Sequence, residues 1–193
     1  QAQTALTELT LPQNERFSRR ITREPLGVIF NIAAWNYPLL VPVNVVASGV
    51  LSGNSVLLKH SPRTPLCGEQ FERVFQLAGA PRGLVSSIHV DHVTAARVIA
   101  DSRISFVSFT GSARGGLEVY KEASKRVLGV GMELGGKDAA YVLADCHLEK
   151  TAASLAEGAF YNAGQSCCAI ERIFVDASVY HPFIDRFLDQ TKA

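Results

Sequence analysis

Short runs of β-branched and other apolar residues alternate with helical patterns along most of the chain. Residues 26–33 predict a strand, and the apolar stretch 39–51 predicts a mostly buried helix stopped by Gly53. Residues 55–59 predict a second strand, followed by a helix over 65–78 with Gly79 as its stop. A third strand at 84–89 precedes a helix around 93–100. A fourth at 104–109 runs directly into Thr110-Gly111-Ser112 and a further helix, and 126–132 supplies a fifth strand. This strand–helix rhythm predicts a parallel sheet covered on both faces, and right-handed crossovers favour a doubly wound α/β arrangement.

After Glu133-Leu134-Gly135-Gly136-Lys137 the rhythm restarts: a strand at 139–143, a helix at 149–161, a strand at 172–175 and a final helix. The double glycine marks a hinge between two layers or domains. Residues 15–23 alternate polar and apolar positions loosely, as an exposed strand or arm would. The expected division is an arm over 1–24, an α/β domain over 25–133 and the start of a second α/β domain over 134–193.

Composition narrows the partners. With 193 residues, 47% hydrophobic, 19% charged and a formal net charge of +1, the chain can bury a substantial core and gives no reason to expect nucleic acid or an anionic membrane. The longest apolar stretch, 38–51, is too short for a membrane span and is interrupted by Pro42, Asn44 and Ser48. Residues 1–13 show no basic cluster followed by an apolar core, so no secretory leader is expected there. Cys67, Cys146, Cys167 and Cys168 form no Cys-x-x-Cys pair and have no His at finger spacing. Reduced thiols in a cytoplasmic compartment and no metal site are expected. The chain opens on Gln1 and stops inside a helical pattern near Lys192, so it is treated as a fragment of something longer.

Four segments could carry chemistry, each with a plainer alternative. Residues 109–116 (FTGSARGG) place small residues where a strand gives way to a helix. Amides at such a helix start attract phosphate, but the same sequence also makes an ordinary strand–helix turn. In Gly164-Gln165-Ser166-Cys167-Cys168 a thiol follows a helix-ending glycine. It is either an activated thiolate or a pair of small buried hydrophobes. Glu133, between an apolar strand and two glycines, is either a partly desolvated base or a surface carboxylate. Asn36, before Tyr37-Pro38, either donates to a developing oxyanion at the carboxyl edge of the sheet or caps the following helix.

Taken in order, Trp35-Asn36-Tyr37-Pro38, Phe109-Thr110-Gly111-Ser112, Glu133-Leu134-Gly135-Gly136-Lys137 and Gly164-Gln165-Ser166-Cys167 resemble the signature segments of the aldehyde dehydrogenase superfamily. The separation of 34 between Glu133 and Cys167 matches the family spacing. The resemblance implies a Rossmann-like cofactor domain followed by the beginning of a catalytic domain, and oxidation of an aldehyde to a carboxylic acid with NAD or NADP. Cys167 matches the nucleophile, Glu133 the general base for deacylation, and Asn36 the side-chain half of the oxyanion hole. Lys59 matches the lysine on the adenosine ribose, and Gly111, Ser112 and Gly116 the turn and helix start near the pyrophosphate. Trp35 and Leu134 match positions beside the cofactor. Residues 15–23 resemble part of an oligomerisation strand, which implies a homo-oligomer at full length.

Three positions depart from the family pattern. Pro62 stands where NAD-preferring relatives carry a glutamate, residues 88–92 (IHVDH) replace a common Pro-Gly turn, and Ala34 stands where many relatives have Pro. Family members are more than twice as long as this chain. A truncated, non-catalytic nucleotide-binding module is therefore an alternative, as is a thiol esterase that uses no cofactor. An isolated piece of this size is expected to expose apolar surface where missing layers belong.

Overall fold

A computed structural model describes residues 2–192. The chain forms two compact units, Gln1–Glu133 and Leu134–Ala193. Among the described residues no helix is long and apolar enough to cross a membrane, and no group of His, Cys, Asp and Glu is placed to hold a metal ion.

The first unit opens with a short helix α1 (Ala2–Leu6) and an antiparallel pair, β1 (Leu9–Thr10) and β2 (Arg20–Ile21). Of the arm expected at 15–23, only Arg20–Ile21 is strand. The preceding turn is closed by the Asn14 side chain, whose Oδ1 accepts from the amides of Arg16 at 3.0 Å and Phe17 at 2.9 Å. The pair is exposed, and Phe17 is 63% accessible.

The main sheet follows the predicted rhythm: β3 (Val28–Ile32), α2 (Leu40–Leu51), β4 (Ser55–Lys59), α3 (Pro65–Leu77), β5 (Val85–Ile88), α4 (His92–Ala100), β6 (Ile104–Thr110), α5 (Ala113–Ser124) and β7 (Gly129–Glu133). The strands lie in the order β5-β4-β3-β6-β7 and all pairs are parallel. Strand order therefore reverses between β3 and β6, which makes that boundary the topological switch point of the sheet.

Alternation along β3 divides its side chains between two cores. Ile29 packs with Val46, Val56 and Val85 under α2 and α3, while Phe30 and Ile32 pack with Ala95, Ile99, Val107, Phe109, Val119 and Ala123 under α4 and α5. Helix α2 is less buried than its apolar sequence suggests. Pro42, Val46 and Gly49 are buried, but Leu40 is 60% and Leu51 61% exposed. A helix lying on one sheet face can cover only one of its own faces, whatever the composition of the other. Gly53 ends this helix at φ +87°, and a Cβ there would strike the Pro25 ring, so the stop needs glycine on both counts.

Two polar side chains tie down the connections. Asn54, 4% exposed, accepts from the amides of Leu26 and Gly27 at 2.6 and 3.0 Å and donates to Gly49 O at 3.1 Å, fixing the entry to β3. The Arg126 guanidinium donates to the carbonyls of Ile99, Asp101 and Ile104 at 2.9, 2.5 and 3.2 Å, closing the link from α4 to β6. Asp101 is itself held well below the usual carboxylate range by hydrogen bonds from Arg103.

The second unit contains a parallel pair, β8 (Asp138–Val142) and β9 (Ile170–Val175), linked by α6 (Leu148–Phe160) and followed by α7 (Tyr180–Lys192). Val142, Ala152 and Phe183 form its core, with Ile173, Val175 and Phe187 against them. Its apolar exposure is broad, with Tyr141 at 64% and Phe174 at 55%.

Candidate active site

The parallel order brings the ends of β3, β4, β6 and β7 to one edge of the first unit, with Trp35, Asn36, Lys59, Gly111, Ser112 and Glu133 along it. Two backbone bonds continue the ladder past the strands: Ala33 N donates to Lys59 O at 3.0 Å, and Gly111 N donates to Glu133 O at 3.0 Å. The loop after β3 and the turn after β6 thus flank the switch point, where open α/β sheets place their ligands.

Asn36 lies in a bend over residues 35–37, half-buried, ahead of α2. The N-cap of α2 is Leu39, because a turn at residues 38–39 separates the bend from the first helical residue.

Lys59 is 5% exposed. Desolvation pushes its ammonium below the usual lysine range, and the Asp91 carboxylate partly opposes this. Asp91 caps α4 by accepting from Thr94 N at 2.7 Å, a bond that holds the carboxyl below its ordinary range. His89, also in the divergent stretch 88–92, lies 2.9 Å from a Glu69 oxygen.

At the end of β6, Ser112 caps α5 and accepts from Gly115 N at 3.1 Å. Gly116 is buried on the helix, and its amide donates to Ser112 O at 2.9 Å. Among the described residues this leaves the amides of Ala113 and Arg114 at the helix start without an acceptor. The glycine at 111 answers to packing, since a Cβ there would meet the Phe109 ring at 2.7 Å. A buried ammonium and open helix-start amides at the carboxyl edge suit the phosphates and ribose of a dinucleotide.

Glu133 ends β7, the edge strand of the sheet, and its side chain is exposed. In the second unit Leu134 is 37% exposed. There α6 ends at Phe160 and is followed by a tight turn in which Asn162 and Ala163 take positive φ before Gly164. This turn delivers Cys167 and Cys168 to the surface, both exposed, so neither is the buried hydrophobe allowed by composition. The Cys168 thiol lies 3.2 Å from Ser166 Oγ, leaving Cys167 the thiol without that contact. Gly136 packs directly on the Cys167 carbonyl oxygen, an approach a Cβ would block. Lys137 pairs with Glu171 beside it.

Sequence reasoning overlooked His60 and Arg63. His60, 3% exposed, bonds Pro38 O, and the Arg63 guanidinium lies 4.6 Å from the centre of the Trp35 ring. Their only signal in the sequence is that they follow Lys59 within four residues, because both partners are more than twenty residues away.

The model of the aldehyde dehydrogenase family matches residues 1–193. The chain is 37% identical over 169 residues to vanillin dehydrogenase of Amycolatopsis sp., an alignment covering 87% of this chain and 35% of that protein. It is 34% identical to an Escherichia coli succinate semialdehyde dehydrogenase [NAD(P)+], over 94% of this chain and 39% of that one. Among solved structures it superposes on succinic semialdehyde dehydrogenase from Streptococcus pyogenes in complex with NADP+, with a TM-score of 0.93, 30% identity and coverage of 99% and 42%. A NAD-dependent benzaldehyde dehydrogenase from Corynebacterium glutamicum gives 0.90, 31%, 99% and 42%. The chain thus spans about two-fifths of the length of these relatives.

Proposed function

The chain belongs to the aldehyde dehydrogenase family, and from that premise we propose that it carries the cofactor edge and nucleophile loop of an NAD(P)-dependent enzyme oxidising an aldehyde to its carboxylic acid. The observation that carries this proposal is the gathering of Asn36, Lys59, Ser112 and Glu133 at the ends of four parallel strands around a switch point. Residues 25–133 serve as the cofactor domain and 134–193 as the start of the catalytic domain. Lys59, Trp35, Leu134 and the Gly111–Ser112 turn hold NAD or NADP, with Gly116 at the start of α5 beside the pyrophosphate. When bound, the cofactor supplies a nicotinamide ring that accepts hydride.

The protein's own groups do the rest. The Cys167 thiolate attacks the aldehyde carbon, forming the C–S bond of a thiohemiacetal, and Asn36 donates to its oxyanion. Loss of hydride leaves a thioester on Cys167. Glu133 takes a proton from water as the water attacks that thioester, and the acid leaves with the thiol restored. The full-length protein works as a cytoplasmic homo-oligomer, with the exposed β1–β2 arm contributing to the contact.

A single-turnover experiment on the full-length protein tests this. Excess aldehyde with NAD or NADP should give a burst of reduced nicotinamide that Cys167→Ala abolishes. Glu133→Gln should keep the burst and lose the turnovers that follow it. A burst surviving Cys167→Ala overturns the assignment.

A further inference from the structure

The turn that follows β4 grips the loop that follows β3 at two points. His60 Nε2 lies 2.7 Å from Pro38 O, and Nδ1 faces the Ser61 amide at 3.1 Å and the Thr64 hydroxyl at 3.0 Å. An amide can only donate, so Nδ1 is the acceptor nitrogen and Nε2 carries the proton that goes to Pro38 O. The ring is a neutral tautomer with both nitrogens satisfied. Three residues on, the Arg63 guanidinium stacks over Trp35 at 4.6 Å. Trp35 and Pro38 bracket Asn36.

We propose that His60 is a positioning residue for Asn36, with Arg63 as a second and weaker hold on the same loop. An oxyanion donor lowers a barrier only when it is fixed before the charge develops. Residues 35–37 form a bend outside any helix or strand, so side chains must supply the rigidity that a ladder would otherwise give. The base of the grip is rigid: Lys59, immediately before His60, is paired with Ile32 on one side and Ile88 on the other. The α3 backbone at Gly68 closes over the ring, where an added Cβ would stand 3.1 Å from His60 Cβ. Burial at 3% exposure strengthens the Nε2–Pro38 bond by excluding competing water. Arg63 is exposed, so its stacking contributes less.

This inference rests on the assignment of Asn36 as the oxyanion donor. The test is the acylation burst of the full-length enzyme, with nucleotide affinity measured separately. His60→Leu should slow the burst about tenfold at unchanged nucleotide affinity. His60→Gln, which keeps a donor at similar reach, should restore most of the rate. Neither His60→Leu nor Arg63→Ala should slow the burst further when Asn36→Ala is already present. Equal slowing in both backgrounds, or no recovery with Gln, overturns the proposal while leaving Asn36 in its role. A burst unaffected by Asn36→Ala overturns the oxyanion assignment and this inference with it. Should His60→Leu fail to fold, His60→Gln and the surface variant Arg63→Ala, each with and without Asn36→Ala, decide the question.

Discussion

Replacing Gly136 with Ala should displace the loop that carries Cys167, the proposed nucleophile, without changing Cys167 itself. A Cβ built on Gly136 overlaps the Cys167 carbonyl oxygen and stands 3.1 Å from Asp138 Oδ1. The carbonyl belongs to the backbone, so it cannot rotate aside as a side chain would, and relief requires a shift of about 1 Å in one segment or the other. Overpacking of this kind costs about 1–3 kcal/mol, and a reacting atom misplaced by about 1 Å can lose about 100-fold in rate. The expected result is a lower urea midpoint together with a burst slowed by one to two orders of magnitude. Iodoacetamide alkylation of Cys167 then reports whether the thiol itself has moved or been covered. Gly135→Ala is the control: nothing lies within 4 Å of the Cβ it would add, so stability and burst should hold near the parent values. If Gly136→Ala matches Gly135→Ala in both stability and burst, the close approach does not position Cys167.

Two further outcomes follow from the first unit. Arg126→Ala removes donors from three backbone carbonyls and should cost about 2–4 kcal/mol in urea unfolding. Arg126→Lys should recover less than half of that, because a single ammonium cannot span the three, and a loss below about 0.5 kcal/mol for Ala would refute the clamp. Burial holds the His60 pKa below 6.5, against an opposing contribution from the Pro38 bond. The unfolded chain therefore binds more protons than the folded one as pH falls below about 6.5, and stability declines from there through the lower folded value while staying flat above. His60→Gln should flatten that part of the pH–stability curve, and identical slopes in the two proteins would contradict the burial of a neutral ring.

Most elements were legible because their causes are local. The β-branched runs and glycine stops placed β3, α2, β4, α3 and α4 within a residue or two of their observed ends. The arm was not, because a two-residue pairing such as Leu9–Thr10 with Arg20–Ile21 leaves almost no periodic trace. Glu133 shows the same limit at the site. The sequence leaves it as either a partly desolvated base or a surface carboxylate, and its exposure at the end of β7 goes with a place at the edge of the sheet, which no local pattern encodes.

By itself the sequence determined the alternation of strands and helices, the class of fold and the four ordered segments that mark the family. Those depend on side-chain period, turn chemistry and functional groups, all properties of residues near one another along the chain. Tertiary structure alone decided that strand order reverses between β3 and β6, and that Asn36 lies in a bend ahead of α2. It alone joined His60 to Pro38 and Gly136 to Cys167. Those are contacts between segments more than twenty residues apart, whose meeting is set by how strands order in a sheet and how loops close over them, quantities that the periodicity of any single segment does not contain.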